Sequence, residues 1–302
     1  MKRRDFVQHI AIGSTLALSG LGLQAFTNAS NNKKITILHT NDVHSHIDPF
    51  AEGRNVNKGG VARRATLIEQ IRKENPNTLL LDAGDIFQGT PYFNYYGGEL
   101  EFKLMSMLKY DLATIGNHDF DNGIDGLYKQ LPHSNFEFVS ANYDFSNTIM
   151  DTHVKPYKVF IKDEIKIGIF GLGIGLQGLV NKNLYKETKY LDPIEVSQDM
   201  TRILKTEEKC DLIICLSHLG YHYRNQPERV SDLKLAGATK DIDLIIGGHT
   251  HTFLKKPTVT KNFEGKNMLV NQVGAYGIYL GKIDFYFDSD KNKTVEGTPI
   301  IV

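Results

Sequence analysis

Short apolar runs alternate with stretches of helical spacing along most of this chain. Ile35 to Leu38, Thr78 to Leu81, Leu112 to Ile115, Leu212 to Leu216 and Leu244 to Ile246 each read as a β-strand. Between the first two, Val61, Ala65, Ile68 and Ile71 recur at helical spacing within Gly60 to Lys73. Leu100, Leu104, Met105 and Leu108 mark a second helix, a third begins near Ile124, and Val196, Met200, Ile203 and Leu204 mark a fourth. Phe136 to Ala141, Tyr157 to Ile161 and Ile165 to Phe170 read as strands, the last two as a hairpin turned by Lys162-Asp163-Glu164. Met268 to Val273 and Ile278 to Phe287 close the chain as strands, with Tyr279, Phe285, Tyr286 and Phe287 as sheet residues. Alternating strands and helices argue for an α/β fold, and the hairpin and closing strands argue for mixed sheets. Gly171, Gly173 and Gly175 lack the helix and acidic residue of a phosphate-binding loop and read as a turn.

Composition bounds the function classes. At 302 residues the chain can bury a sizeable core. Lys+Arg and Asp+Glu both number 35, so there is no basic footprint for a nucleic-acid polymer, and an anionic substrate must be attracted locally. Cys210 and Cys215 flank one short apolar stretch. As strand neighbours they would be too far apart to bridge and would point to opposite faces, so no disulfide is expected. Residues 1–29 carry a charged start at Lys2-Arg3-Arg4, an apolar stretch from Ile10 to Phe26, and small residues near Ala25 and Ala29. That layout predicts a cleaved export signal, and Arg3-Arg4-Asp5-Phe6 resembles a twin-arginine signal. A periplasmic or extracellular protein with no stable membrane anchor after cleavage follows.

The chemistry lies where the strands end. Asp42-Val43-His44, Gly84-Asp85, Gly116-Asn117-His118-Asp119, Ser217-His218 and Gly248-His249-Thr250-His251 each follow or close an apolar run. Loops at the carboxyl edge of an α/β sheet are where such folds place their sites. Carboxylate, amide oxygen and imidazole suit divalent Zn, Mn, Fe or Co. Cys215 is the only thiol nearby, which argues against a structural zinc or an iron–sulfur cluster. The other histidines, His39, His46, His133, His153 and His222, read as ordinary surface or hydrogen-bonded residues.

These segments, with Gly59-Gly60-Val61-Ala62-Arg63 and Gly84-Asp85-Ile86-Phe87-Gln88-Gly89, resemble the catalytic domain of the 5′-nucleotidase branch of the calcineurin-like metallophosphoesterases. The resemblance spans roughly Lys34 to Asp288 and implies a four-layer α/β/β/α metallophosphoesterase sandwich with mixed sheets. It implies two divalent metal ions. Asp42, His44 and His251 would hold one, Asn117, His218 and His249 the other, and Asp85 would bridge them. His118 would be the catalytic histidine and Asp121 its acidic partner, although an Asp before Asn122-Gly123 could also cap a helix. Two such ions roughly 3.5–4 Å apart can share a hydroxide that attacks phosphorus.

The resemblance therefore implies metal-dependent hydrolysis of phosphate esters, most simply of 5′-nucleotides. Cyclic nucleotides, nucleotide sugars or sulfur esters are alternatives on the same core. Asp119 stands where this branch often has Glu. Fuller relatives carry a C-terminal domain that holds the nucleoside, so residues 30–302 are expected to be a catalytic domain without it. A separate recognition chain, or a docking module without catalysis, is then a further possibility.

Overall fold

The computed structural model describes residues 33–302; the expected export signal lies outside them. The strands, in chain order, are β1 (Lys33–Thr40), β2 (Thr78–Asp82), β3 (Leu112–Ala113), β4 (Glu137–Phe138), β5 (Tyr143–Asp144), β6 (Tyr157–Lys162), β7 (Ile165–Leu172), β8 (Lys189–Tyr190), β9 (Leu212–Ser217), β10 (Leu244–Gly247), β11 (Thr258–Lys261), β12 (Asn267–Asn271), β13 (Tyr279–Phe287) and β14 (Lys293–Ile301). The α-helices are α1 (Val61–Glu74), α2 (Pro91–Tyr96), α3 (Glu99–Met107), α4 (Gly123–Gln130), α5 (Lys182–Tyr185), α6 (Pro193–Arg202) and α7 (Asp232–Ala238).

Two six-stranded sheets form the body. One runs β14-β13-β1-β2-β3-β4 and the other β11-β12-β10-β9-β7-β6. In the first, β1, β2, β3 and β4 are parallel, while β13 and β14 are antiparallel additions. In the second, β7, β9, β10 and β12 are parallel, while β6 and β11 are antiparallel edges. Both sheets are therefore mixed.

Side-chain alternation explains the layering. Ile35, Ile37, Leu79 and Leu81 from one sheet pack with Ile167, Ile169, Leu212, Ile214, Leu244 and Ile246 from the other in a core between the sheets. Leu38 and Leu80 face the opposite way and pack with Ile68 and Ile71 of α1, Phe102 and Met105 of α3, and Leu127 of α4. On the far side, Phe170, Ile213 and Ile245 pack with Leu235 and Ala236 of α7 and with Leu204 beyond α6. Three cores between four layers give the α/β/β/α sandwich. Because the central strands are buried on both faces, they read as continuous apolar runs.

Several details differ from expectation. Phe136 to Ala141 is a strand only at Glu137–Phe138, with an isolated parallel bridge from Val139 to Lys155, and Leu112 to Ile115 only at Leu112–Ala113. The periodic stretch after Pro193 stops being α-helical at Arg202 and continues as a π-turn over Ile203–Glu207. Gly171 lies within β7, and Gly173 follows that strand against the Tyr143 ring, where a side chain would collide, so this glycine run serves packing. Cys210 and Cys215 are free, but both lie in the outer core beside α7. Cys210 is not bound by strand parity, because β9 begins only at Leu212.

One polar clip ties β1 to β13. Asp284, almost fully buried, accepts from Thr36 Oγ1 at 2.6 Å and pairs with Lys34 at 2.9 Å and Lys282 at 2.5 Å. Burial disfavours its charge, but the bonds from Lys282, Thr36 and Lys34 outweigh it and lower its pKa. A lowered folded-state pKa contributes stability above the usual carboxylate range that is lost as pH falls through the folded value. Asp284→Ala should therefore cost about 1–3 kcal/mol at neutral pH. In urea unfolding, the gap between wild type and variant should close on acidification below the carboxylate range; a constant gap would refute the clip.

Candidate metal centre

The parallel strands bring their carboxyl ends to one edge of the sandwich. There, five short loops deliver the polar segments. Asp42 and His44 follow β1, Asp85 follows β2, Asn117 and His118 follow β3, His218 follows β9, and His249 and His251 follow β10. Asp42, His44, Asp85, His249 and His251 all have positive φ, between 49° and 69°. For non-glycine residues that left-handed conformation costs of order 1–3 kcal/mol each, and it persists only where the surroundings impose it. Gly84, at φ 88°, lets two loops touch: a Cβ there would lie 2.7 Å from Gly116 N and 2.9 Å from His218 Nδ1.

Buried polar groups impose the geometry. The Asp119 carboxylate accepts from four backbone N–H groups: Asp85 at 3.1 Å, Ile86 at 2.9 Å, Phe87 at 3.2 Å and Gly116 at 2.8 Å. Burial and the Asp85 carboxylate push its pKa up, while the four donors act in the opposite direction. Asn41 bonds Asp42 Oδ2 and Gly274 O, each at 2.6 Å, and accepts from Val273 N at 3.1 Å. Gln272 pins the last loop through Gly248 O, Thr250 Oγ1 and Thr252 N. Sequence reasoning noted Asp119 only as a departure from the family pattern and gave none of the three a supporting role. Asn41 and Asp119 lie inside the recognised motifs and could have been found as polar residues flanking them. Gln272 carries no local signal.

Two donor groups result. Asp42, His44 and His251 form one, and Asp85, His218 and His249 the other; within each, the donor atoms lie within 4.8 Å of one another. Asn117 Oδ1 lies 2.8 Å from His249 Nδ1, which adds it to the second group. Asp85 Oδ2 stands between the groups, 3.0 Å from His218 Nε2 and 3.8 Å from His44 Nε2. All seven residues expected as ligands are thus brought together. His118 Nδ1 lies 2.8 Å from Asp121 Oδ2 beside them. Asp121 makes no helix cap: it ends the short 3₁₀ turn His118–Phe120 and turns its carboxylate to His118.

The chemistry of this set fits divalent ions. His44 Nδ1 faces Phe87 O at 3.1 Å, and His218 Nδ1 faces Ala83 O at 2.7 Å. A carbonyl at Nδ1 favours the proton there and leaves Nε2 free to bind a metal, as in imidazoles whose other nitrogen is held by a backbone carbonyl. His44 Nε2 and His251 Nε2 lie 3.0 Å apart, and the buried His218 Nε2 faces Asp85 Oδ2 at 3.0 Å. Burial lowers the pKa of His44 and takes His249 down to about 4, so both are neutral, as ligands must be. Burial also opposes charge on His218, but Asp85 and Asp42 outweigh it and raise that pKa to about 10. The Asp85 and Asp42 carboxylates, 3.0 Å and 4.0 Å from Nε2, thus favour a positive charge at this point.

A mixed-sheet sandwich with two carboxylate–imidazole groups at its strand ends defines a metallophosphoesterase. The family model for calcineurin-like phosphoesterases matches residues 35–253. A snake venom 5′-nucleotidase of Crotalus adamanteus is 35% identical over 303 residues, covering 92% of this chain and 50% of the relative. A trifunctional nucleotide phosphoesterase of Bacillus subtilis is 34% identical over 286 residues, covering 84% of this chain and 18% of the relative. The crystal structure of a 5′-nucleotidase precursor from Thermus thermophilus superposes with a TM-score of 0.81 at 34% identity, covering 89% of this chain and 55% of that one. The chain belongs to the calcineurin-like phosphoesterase family, and spans about half the length of the venom relative.

Asp119 supports the metal groups without belonging to them. Asp119→Asn would set an amide among four N–H donors and should cost about 2–4 kcal/mol. It should also weaken manganese binding about 10–100-fold, read by calorimetry on the chelator-treated chain. A variant with unchanged melting temperature and manganese affinity would contradict that role.

Proposed function

We propose that this chain hydrolyses 5′-nucleotides and related phosphate esters at a two-metal centre. The observation that carries the proposal is the convergence of seven candidate ligand side chains at one sheet edge, beside the His118–Asp121 pair. The names of the similar proteins, nucleotidases and a nucleotide phosphoesterase, support the substrate class. Asp42, His44 and His251 would hold one ion, Asn117, His218 and His249 the other, and Asp85 both.

Bound divalent ions would neutralise phosphoryl oxygens and make the attacking water acidic enough to act at neutral pH. His118 would give its proton to the departing nucleoside oxygen as the phosphorus–oxygen bond breaks. Its bond to Asp121 Oδ2 is the largest influence on its pKa and raises it, outweighing burial. Asp121 therefore orients the ring and keeps it protonated to higher pH. Among the described residues no Lys or Arg lines the cleft, so charge for the phosphate must come from the ions.

Export is part of this proposal. It rests on the charged and apolar layout of residues 1–29 and on the venom and precursor forms among the similar proteins. Among the described residues, no helix is long and apolar enough to cross a membrane.

The test is phosphate release from AMP, ADP, UDP-glucose, a 2′,3′-cyclic nucleotide and an aryl phosphate, with manganese or chelator. Chelator-sensitive release that favours AMP is expected; release from the cyclic nucleotide or the nucleotide sugar alone would favour those reactions instead. Asp85→Ala should lower turnover about 100-fold or more while the fold persists, and unchanged hydrolysis would sink the proposal. His118→Ala should cost about 10²–10⁴-fold in kcat. Asp121→Asn should move the alkaline limb of the pH–rate profile to lower pH, because His118 then loses its proton sooner. An unmoved limb would remove Asp121 from that role.

A further inference from the structure

We infer that Phe50, Tyr276 and His46 form an aromatic wall on which the base of a nucleotide stacks while its phosphate lies at the metal centre. This rests on the phosphoesterase reading above and names what that site selects. The three rings line the same cleft of about 580 Å³ as His44, His118 and His251. His46 stacks on Phe50 with centroids 5.2 Å apart and planes 21° apart, and lies 4.5 Å from Tyr276. Tyr276 in turn lies 5.5 Å from the His251 ring and 5.9 Å from the His44 ring. The wall therefore begins at the metal-ligand group and leads away from it.

The rings are held by the backbone that holds the ligands. Tyr276 N donates to Asp42 O at 2.7 Å. His46 Nδ1 meets His44 O at 2.8 Å. Phe50 is fixed by its N–H to Lys58 O at 2.9 Å and by Asn57 N to its own carbonyl at 2.8 Å. All three side chains are only half-buried, so apolar ring surface is presented at the rim of a polar cleft. Rigid, part-exposed aromatic rings beside a phosphate site suit a planar base, which gains stacking and removes ring surface from water. The absence of Lys and Arg from the cleft, among the described residues, suits a base there better than a second phosphate. The ligand class is a purine or pyrimidine 5′-monophosphate rather than a bare sugar phosphate.

The experiment compares AMP with ribose 5-phosphate on the full manganese-loaded chain. Both carry the same phosphate and sugar, and only AMP carries a base. The KM for ribose 5-phosphate should exceed that for AMP by about tenfold. In Phe50→Ala that ratio should fall toward one, and in Phe50→Tyr, which keeps the ring, it should return. Equal KM values in the wild type, or a ratio untouched by Phe50→Ala, would overturn the inference. Parallel loss on both substrates with a higher manganese requirement would also overturn it, making the rings a brace for His44 and His251. If neither ester is hydrolysed, the phosphoesterase reading fails by itself. Saturation-transfer NMR with adenosine then decides the wall: transfer to the base that Phe50→Ala abolishes would support it, and no transfer would overturn it.

Discussion

The site depends on one buried carboxylate that is expected to bind no metal. Asp119 gathers four backbone N–H groups from two loops, three of them consecutive at Asp85, Ile86 and Phe87. Charge-assisted bonds of this kind are stronger than neutral ones and order the peptide groups they bind. Here they hold Asp85 at positive φ, a conformation the chain would otherwise leave. Phe87, ordered by the same carboxylate, turns its carbonyl to His44 Nδ1. The order passes from Asp119 to the Asp85 segment and on to an imidazole that follows another strand.

That order is needed because the donor set repels itself. Asp42 and Asp85 are both buried and both lie within 4.0 Å of His44 Nε2 and of His218 Nε2, and His44 Nε2 faces His251 Nε2 at 3.0 Å. Burial lowers the pKa of His44 and His249, while the Asp85 and Asp42 carboxylates raise that of His218. The packed sandwich behind the loops absorbs this cost, since the strands that carry them lie in the core between the sheets. The destabilisation is local and is offset by cations, which is how a binding site stores strain for its ligand.

The two halves of the site come from different sheets. Asp42, Asp85 and Asn117 belong to strand ends of one sheet, and His218, His249 and His251 to strand ends of the other. Face-to-face packing therefore sets the spacing between the donors. The aromatic rim is built differently. Phe50 and His46 lie in the long loop after β1, and Tyr276 in the connection before β13, outside the parallel strand ends.

The sequence alone marked the central strands and the residues that cluster as candidate metal ligands, because both carry local signals. Continuous apolar runs mark strands buried on two faces, and Asp, Asn and His immediately after them mark the sheet edge. What lacked a local signal was missed. β14 carries Lys293, Glu296 and Pro299 and is mostly exposed, so it reads as a tail and becomes a strand only by pairing with β13. β11 and α7 are short and gain their identity from β12 and from the outer core. His46 gave no sign of its neighbours, since Tyr276 lies far along the chain and meets it only in space. Three of the four bonds of Asp119 were invisible for the same reason: they join segments that only the packed sheet brings together. Residue type and spacing decided the chemistry, whereas tertiary packing decided which polar groups hold it in place and which rings face the cleft.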